Sequence, residues 1–183
     1  MRVVFHLIFR YHYFMKKIQS ITHNGYTFYC RFVTIKDKDI LLNAFSKFSS
    51  LSRYYRFHSS KKALTQKDLN YFLNIDNNNH LAIGLLEQVN NKEQGIGIIR
   101  YIKDDKNSTN AEVGLAIIDN YQNQGIGIEL YKKLLYYAKR NGIKTLTNSV
   151  LSDNIHMIKL LKKLDGITKR HLSGVLEIVV TIK

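Results

Sequence analysis

The chain has 183 residues, 45% of them apolar and 23% charged, which excludes both an intrinsically disordered polymer and a membrane-embedded bundle and sets the size of one domain with its own core. Its single cysteine, Cys30, excludes an internal disulfide framework and a cysteine-based zinc cluster, and fits a reducing compartment. Lys and Arg number 28 against 14 Asp and Glu, so a net charge of +14 implies an anionic partner: nucleic acid, a phosphate-bearing cofactor or an acidic protein surface. The absence of proline and the abundance of Asn, Lys, Ile and Tyr also fit an AT-rich coding sequence, which would raise Lys without any functional reason.

At the N-terminus, residues 3–9 form an apolar run too short to span a membrane, and no small-residue cleavage site follows it. Met15-Lys16-Lys17 reads as an alternative start, which would make residues 1–14 an extension, the other reading being a first strand or a helix packed on the domain; residues 1–20 are set apart as an extension and residues 21–183 as the domain, expected to be cytoplasmic with no membrane partner. Tyr26 to Ile35 is dense in aromatic and β-branched residues and predicts a strand after an Asn24-Gly25 turn. Asp37 or Asp39 is expected to cap a helix through Phe48, and Ser49 to Phe57 a second short helix carrying Arg53 and Arg56. Thr65-Gln66-Lys67-Asp68 has the form of a capping box opening a helix through Leu73. Three strands follow, His80–Glu87, Gln94–Ile102 and Ala111–Ile118, joined by polar turns into an antiparallel meander.

Beyond Ile118 the pattern changes. A polar stretch and Gly125-Ile126-Gly127 lead into a helix through Arg140, which Asn141-Gly142 ends. Lys144–Val150 predicts a strand, Asp153 or Asn154 caps a helix carrying Ile155, Ile158, Leu161 and Leu164, and Val175–Ile182 is a last strand. The order implies an α/β (α+β mixed) fold: a central mixed, mostly antiparallel sheet with helices on both faces.

Chemistry concentrates in Gln122-Asn123-Gln124-Gly125-Ile126-Gly127, between a strand and a helix. Glycines there allow a sharp turn and close approach of a ligand to the amides, and the helix start offers unpaired N–H groups that favour phosphate. A nucleoside-triphosphate loop needs Gly-Lys-Ser/Thr, which is absent; a dinucleotide fingerprint needs a third glycine where Leu130 stands. Gly95-Ile96-Gly97 lies inside a strand and reads as packing. Gln122, Gly125 and Gly127 satisfy Q/R-x-x-G-x-G/A, which holds a pyrophosphate on consecutive amides.

In this context the stretch from Ala111 to Gly127 resembles the fourth strand and pyrophosphate loop of the GNAT superfamily of N-acetyltransferases. Val150-Leu151-Ser152-Asp153-Asn154, with Met157 and Leu160 to Leu164, resembles that fold's fifth strand and next helix. Upstream, Asn24-Gly25, Arg31 to Ile35, Asp37/Asp39 and Ser49-x-x-Ser52-Arg53-Tyr54-Tyr55-Arg56-Phe57 resemble the acetyltransferase domain of bacterial protein-lysine acetyltransferases. The resemblance implies acetyl-CoA as co-substrate, bound through Gln122, Asn123, Gln124, Gly125, Ile126, Gly127 and Ile128, with Asn154 on the next helix and backbone groups of Ile117 and Ile118 beside the thioester. The sequence departs from the pattern at the neutral Gln122 and Gln124, where many relatives carry Arg, and at Leu161, where many place a tyrosine acid.

Acyl transfer to an amine needs the amine neutral at attack, and thus a base. Glu112 is the one acid in the Ala111–Ile118 strand; buried there its pKa would rise toward neutrality, whereas at a solvated strand start it would only pair with a lysine. The resemblance implies the base. The Arg53 to Phe57 segment is expected to line the acceptor side, with Phe57 packed, and nucleic acid is disfavoured because no binding motif accompanies it. The seven histidines show no metal-ligand spacing. The expected function is acetyl transfer from acetyl-CoA to a primary amine, protein lysine favoured, by direct attack in a ternary complex. The alternatives are a small-molecule amine acetyltransferase of the same fold and a non-catalytic acyl-CoA sensor.

Overall fold

The computed structural model describes residues 19–23, 26–105 and 108–183; the expected extension falls almost wholly outside them, as does the Asn24-Gly25 turn. The strands are β1 (Gln19–His23), β2 (Tyr26–Phe32), β3 (His80–Val89), β4 (Lys92–Lys103), β5 (Asn110–Ile117), β6 (Thr145–Leu151), β7 (Ile167–Leu172) and β8 (Val175–Thr181). The α-helices are α1 (Lys38–Ser46), α2 (Ser50–Phe57), α3 (Gln66–Leu73), α4 (Ile126–Arg140) and α5 (Ile155–Lys162). The eight strands of the described residues form one sheet in the order β1-β2-β3-β4-β5-β6-β8-β7, antiparallel throughout except for the β5–β6 pair. The long crossover through α4 makes that parallel pair possible.

Alternation along the strands separates two cores. Ile83, Ile99, Val113 and Ile117 point to one face, where they meet Leu130 and Leu134 of α4. Val33 and Ala82, with Ile98, point to the other and meet Leu73 of α3 and Leu41 of α1. A bulge between Leu85 and Leu86 of β3 inserts Ile96 into β4, so Gly97 and Gly95 serve opposite faces. Gly95 lies under α1, where a Cβ would sit 2.9 Å from Ile40, so this Gly-x-Gly is a packing device.

The Thr65–Asp68 capping box forms with both of its bonds, from the Thr65 N–H to Asp68 (2.7 Å) and from the Asp68 N–H to the Thr65 hydroxyl (3.2 Å). Asp37 does not cap α1 with its side chain. It closes a box with Thr34 over a single 3-10 turn, Ile35–Asp37, and accepts two bonds from Arg31 at 2.6 and 2.8 Å, which also ends β2 at Phe32. β1 and β7 are strands that hydrophobic patterning did not predict; β7 is exposed at every position and has no buried face to announce it.

Candidate active site

The ladder between β5 and β6 is short: Asn110 to Glu112 pair with Thr145 to Thr147, and then the strands part. A cleft of about 360 Å³ opens between them, with Gly114, Ala116 and Ile117 on one lip and Asn148 and Val150 on the other. The direction of the freed backbone groups follows from the β4–β5 register. Ile118 donates its N–H to Ile96 C=O (2.9 Å), so even-numbered residues of this ladder bond toward β4 and the N–H groups of Leu115 and Ile117 turn toward the gap. Of the two positions expected beside the thioester, only Ile117 offers an amide there. Its C=O is taken by the Gln122 side chain at 2.7 Å.

The glycine loop stands at the wide end of the cleft. A 3-10 turn over Asp119–Tyr121 leads to Asn123 at φ 59° and Gly125 at φ 77°, a left-handed conformation in which a side chain is strained, and no atom lies within 4 Å of where a Cβ would be. The N–H groups of Gly125, Ile126, Gly127 and Ile128 have no acceptor among the described residues, and α4 begins there with its positive dipole end. Gly127 answers a different need: a Cβ would come within 3.0 Å of Leu160 and 3.4 Å of Ile117, so the glycine lets α4 reach β5. Consecutive unpaired amides at a helix start fit a pyrophosphate.

Side chains brace this loop rather than extend it. Asp119 accepts from the Ser49 N–H (3.0 Å) and hydroxyl (2.6 Å) and from the Ser52 hydroxyl (2.8 Å). Burial alone would raise the Asp119 carboxyl, and these donors bring it below the ordinary carboxylate value. Gln122 donates both to Ile117 C=O and to the Ser52 hydroxyl (3.0 Å), so its side chain ties the loop to α2. Gln124 donates to Asn120 C=O (2.9 Å), and Asn154 caps α5 by accepting from the Met157 N–H (3.2 Å) while lining the cleft. Positive charge comes instead from Lys159 and Lys163, exposed on the cleft side of α5. Their i, i+4 spacing on a capped helix was visible in the sequence, but the direction of that face was not.

Glu112 lies on the α2 side of β5 and is exposed rather than buried. Next along that face is Gly114, where a Cβ would run into the Arg56 guanidinium, 2.7 Å from its Cζ. A glycine inside a strand marks a close approach; here the approaching group is Arg56. Phe57 packs between Phe45 and Phe72, with ring centroids 5.8 and 6.2 Å away. Tyr55 bridges the mouth of the cleft to Asp153 C=O (3.4 Å). Leu161 is fully buried and away from the cleft, whose lining from α5 includes His156, Met157 and Leu160. No tyrosine of α5 faces the gap.

Known proteins share this architecture. The profile of the acetyltransferase (GNAT) family matches residues 48–166. Acetyltransferase Pat of Mycolicibacterium smegmatis is 32% identical over 162 residues, covering 88% of this chain and 48% of that protein, so the chain spans about half the length of that relative. The GNAT domain of S. lividans PAT superposes with a TM-score of 0.82 at 23% identity, covering 89% of this chain and 96% of that one, a likeness of fold. A cAMP-binding acyltransferase from Mycobacterium smegmatis matches at TM-score 0.65 and 25% identity, over all of this chain and 52% of its own. The split sheet, the unpaired amides at the start of α4 and the family match over residues 48–166 agree: the chain belongs to the acetyltransferase (GNAT) family.

Proposed function

We propose that the protein is an acetyl-CoA-dependent N-acetyltransferase that acts on a primary amine, with protein lysine as the favoured acceptor, by direct attack in a ternary complex. The observation that carries the reading is the β5–β6 split, which ends at the unpaired amides of Gly125 to Ile128. A solved Salmonella typhimurium protein of the same fold, yncA, holds acetyl-CoA (TM-score 0.67, 13% identity), and the Pat relative supports a protein acceptor.

Acetyl-CoA would supply an activated acyl carbon on a thioester. The amides of Gly125 to Ile128 would hold its pyrophosphate, with Lys159 and Lys163 adding positive charge. The N–H groups of Leu115 and Ile117 face the gap and are suited to polarise the thioester carbonyl, where donors fixed in advance lower the barrier. Glu112, on the adjacent face, would take the proton from the amine. No side chain of α5 is assigned to protonate the departing thiolate, which is stable enough to leave as the anion. Mass spectrometry of lysine peptides and small amines incubated with protein and acetyl-CoA tests the reading. A mass increase of one acetyl group on an amine is expected. Tight acetyl-CoA binding with no transfer to any amine would leave a sensor in its place.

A further inference from the structure

On the face of the sheet covered by α1, α2 and α3, four arginines gather, Arg31, Arg53, Arg56 and Arg100, and only the first is ion-paired among the described residues. Arg31 is satisfied by Asp37 and Glu93. Arg53, Arg56 and Arg100 form no ion pair among the described residues. Arg53 donates to the carbonyls of Lys62 and Ser46, each at 3.2 Å, and lies over the Phe45 ring. Arg100, 3% exposed, donates to Phe72 C=O (3.1 Å) and to His80 Nε2 (3.2 Å). Among the described residues Arg56 has neither a hydrogen bond nor an ion pair; its guanidinium rests on the Gly114 backbone and beside the Phe57 ring. Burial pushes Arg100 down to about 9, and the charge on Arg56 adds to the push. Burial likewise lowers Arg56, with Glu112 the opposing influence.

A second cavity, of about 80 Å³, lies between these arginines and the helices, and Phe48, Ser52, Arg56 and Ala116 line both it and the main cleft. Arg56 therefore stands where the two spaces meet, an under-compensated cation beside the gap between β5 and β6. Glu112 and Gly114 are two residues apart on one face of β5, a spacing of about 7 Å. The acceptor face thus presents a carboxylate and a guanidinium side by side.

Resting on the acetyltransferase reading above, we propose that the acceptor carries a carboxylate close to its reacting amine, and that Arg56 receives it while Glu112 faces the amine. The carboxylate belongs either to a free amino acid or to an acidic side chain next to a lysine in a protein. In both cases a planar guanidinium takes two carboxylate oxygens at a half-buried position, where a charge-assisted bond is stronger than in open water. Lysine in neutral or basic surroundings gains nothing there and meets the repulsion of Arg56.

The test measures initial rates with the full chain and saturating acetyl-CoA on matched acceptors. One pair is aminocaproate and its amide; the other is a lysine peptide with flanking Asp or Glu and the same peptide with Asn or Gln. The carboxylate member should be favoured about 10- to 100-fold in kcat/KM, carried by KM. Preference within the peptide pair alone assigns the flanking acid; preference within the small-amine pair alone assigns the free carboxylate. Arg56→Met should erase the preference and Arg56→Lys keep part of it. Gly114→Ala, which unseats the guanidinium, should weaken it as well. Thermal stabilisation by acetyl-CoA checks that each variant is folded. Rates equal within about threefold inside both pairs, or a preference that survives Arg56→Met, would overturn the proposal and leave the acetyltransferase reading standing. If no amine is acetylated, that reading fails instead, and Arg56 is judged by caproate alone. Stabilisation of the CoA-loaded protein by caproate in wild type but not in Arg56→Met upholds the anion site, and its absence from wild type ends it.

Discussion

Glu112 has open solvent on one side and the Arg56 guanidinium on the other, so its contribution must come from position. Glu112→Gln keeps the shape and removes the proton acceptor; kcat is expected to fall about 10²–10⁴-fold while acetyl-CoA affinity holds, since the loop is untouched. The residual activity should rise with pH as more of the acceptor amine becomes neutral unaided. A variant within threefold of wild type at neutral pH would make the glutamate structural. On α5 the expectation runs the other way. Leu161 is fully buried, so Leu161→Ala should lower stability by about 2–5 kcal/mol in denaturant titrations with kcat per folded molecule unchanged. His156 is exposed at the cleft rim, and His156→Ala should leave turnover nearly intact. A hundredfold loss there would identify a missed acid.

At the scale of elements, the glycine loop was legible because its conformation demands particular residues: Gly125 occupies positive φ, and the amides it frees are independent of side chains. Gly125→Asp would add a strained residue and a negative charge at the anion seat. Stabilisation by CoA and acetyl-CoA, readable as a rise in Tm, should vanish, while ATP and NAD should fail to stabilise even the wild type at equal concentration. The meander was legible through alternation, and α3 through its capping box. The seat of Arg56 was not, because it depends on α2 meeting β5 across more than fifty residues of sequence, and Gly114 gave only the general sign of a close approach. On α5 each residue turns the helix by about 100°, so Leu161 is buried, in keeping with its place on the apolar stripe, while its neighbour Leu160 lines the gap. β7 escaped because Ile167–Leu172 has no protected side to create a pattern.

For the molecule as a whole, His80 is a group among the described residues whose ionisation directly opposes the fold. It is 8% exposed, donates from Nδ1 to Asn74 C=O (2.9 Å) and accepts from Arg100 at Nε2. Burial, with the charge of Arg100 added, holds it down to about 4 from an ordinary 6.5. The unfolded chain therefore binds a proton that the folded one refuses, so the stability is complete above pH 6.5 and is lost as pH falls toward 4. Chemical denaturation should show a loss of about 2–3 kcal/mol across that window, much reduced in His80→Gln, which keeps a donor and an acceptor but cannot charge. Below it the carboxylates take over. Asp68, bonded to Lys61 and capping α3, is held down to about 2 from 3.8, so its share is present above 3.8 and disappears as pH falls through 2.

The three paired positions between β5 and β6 have a mechanical meaning as well. A sheet transmits load through its ladders, and here one seam carries far fewer ladder bonds than the seams on either side, where β4–β5 and β6–β8 each pair over seven positions. Without a ligand the protein amounts to two stiff plates joined by a short hinge and by α4. A molecule lying along the seam and bonding to the inward amides of Leu115 and Ile117 would act as an inserted rib, restoring stiffness across the gap. Hydrogen exchange at those two amides should slow on adding CoA, and the effect should be confined to the seam, with the β2–β3–β4 ladders unchanged because they are already paired with one another and do not border the gap. A tweezers experiment pulling the plates apart should find its softest direction across this line and should find it hardened by the same ligand.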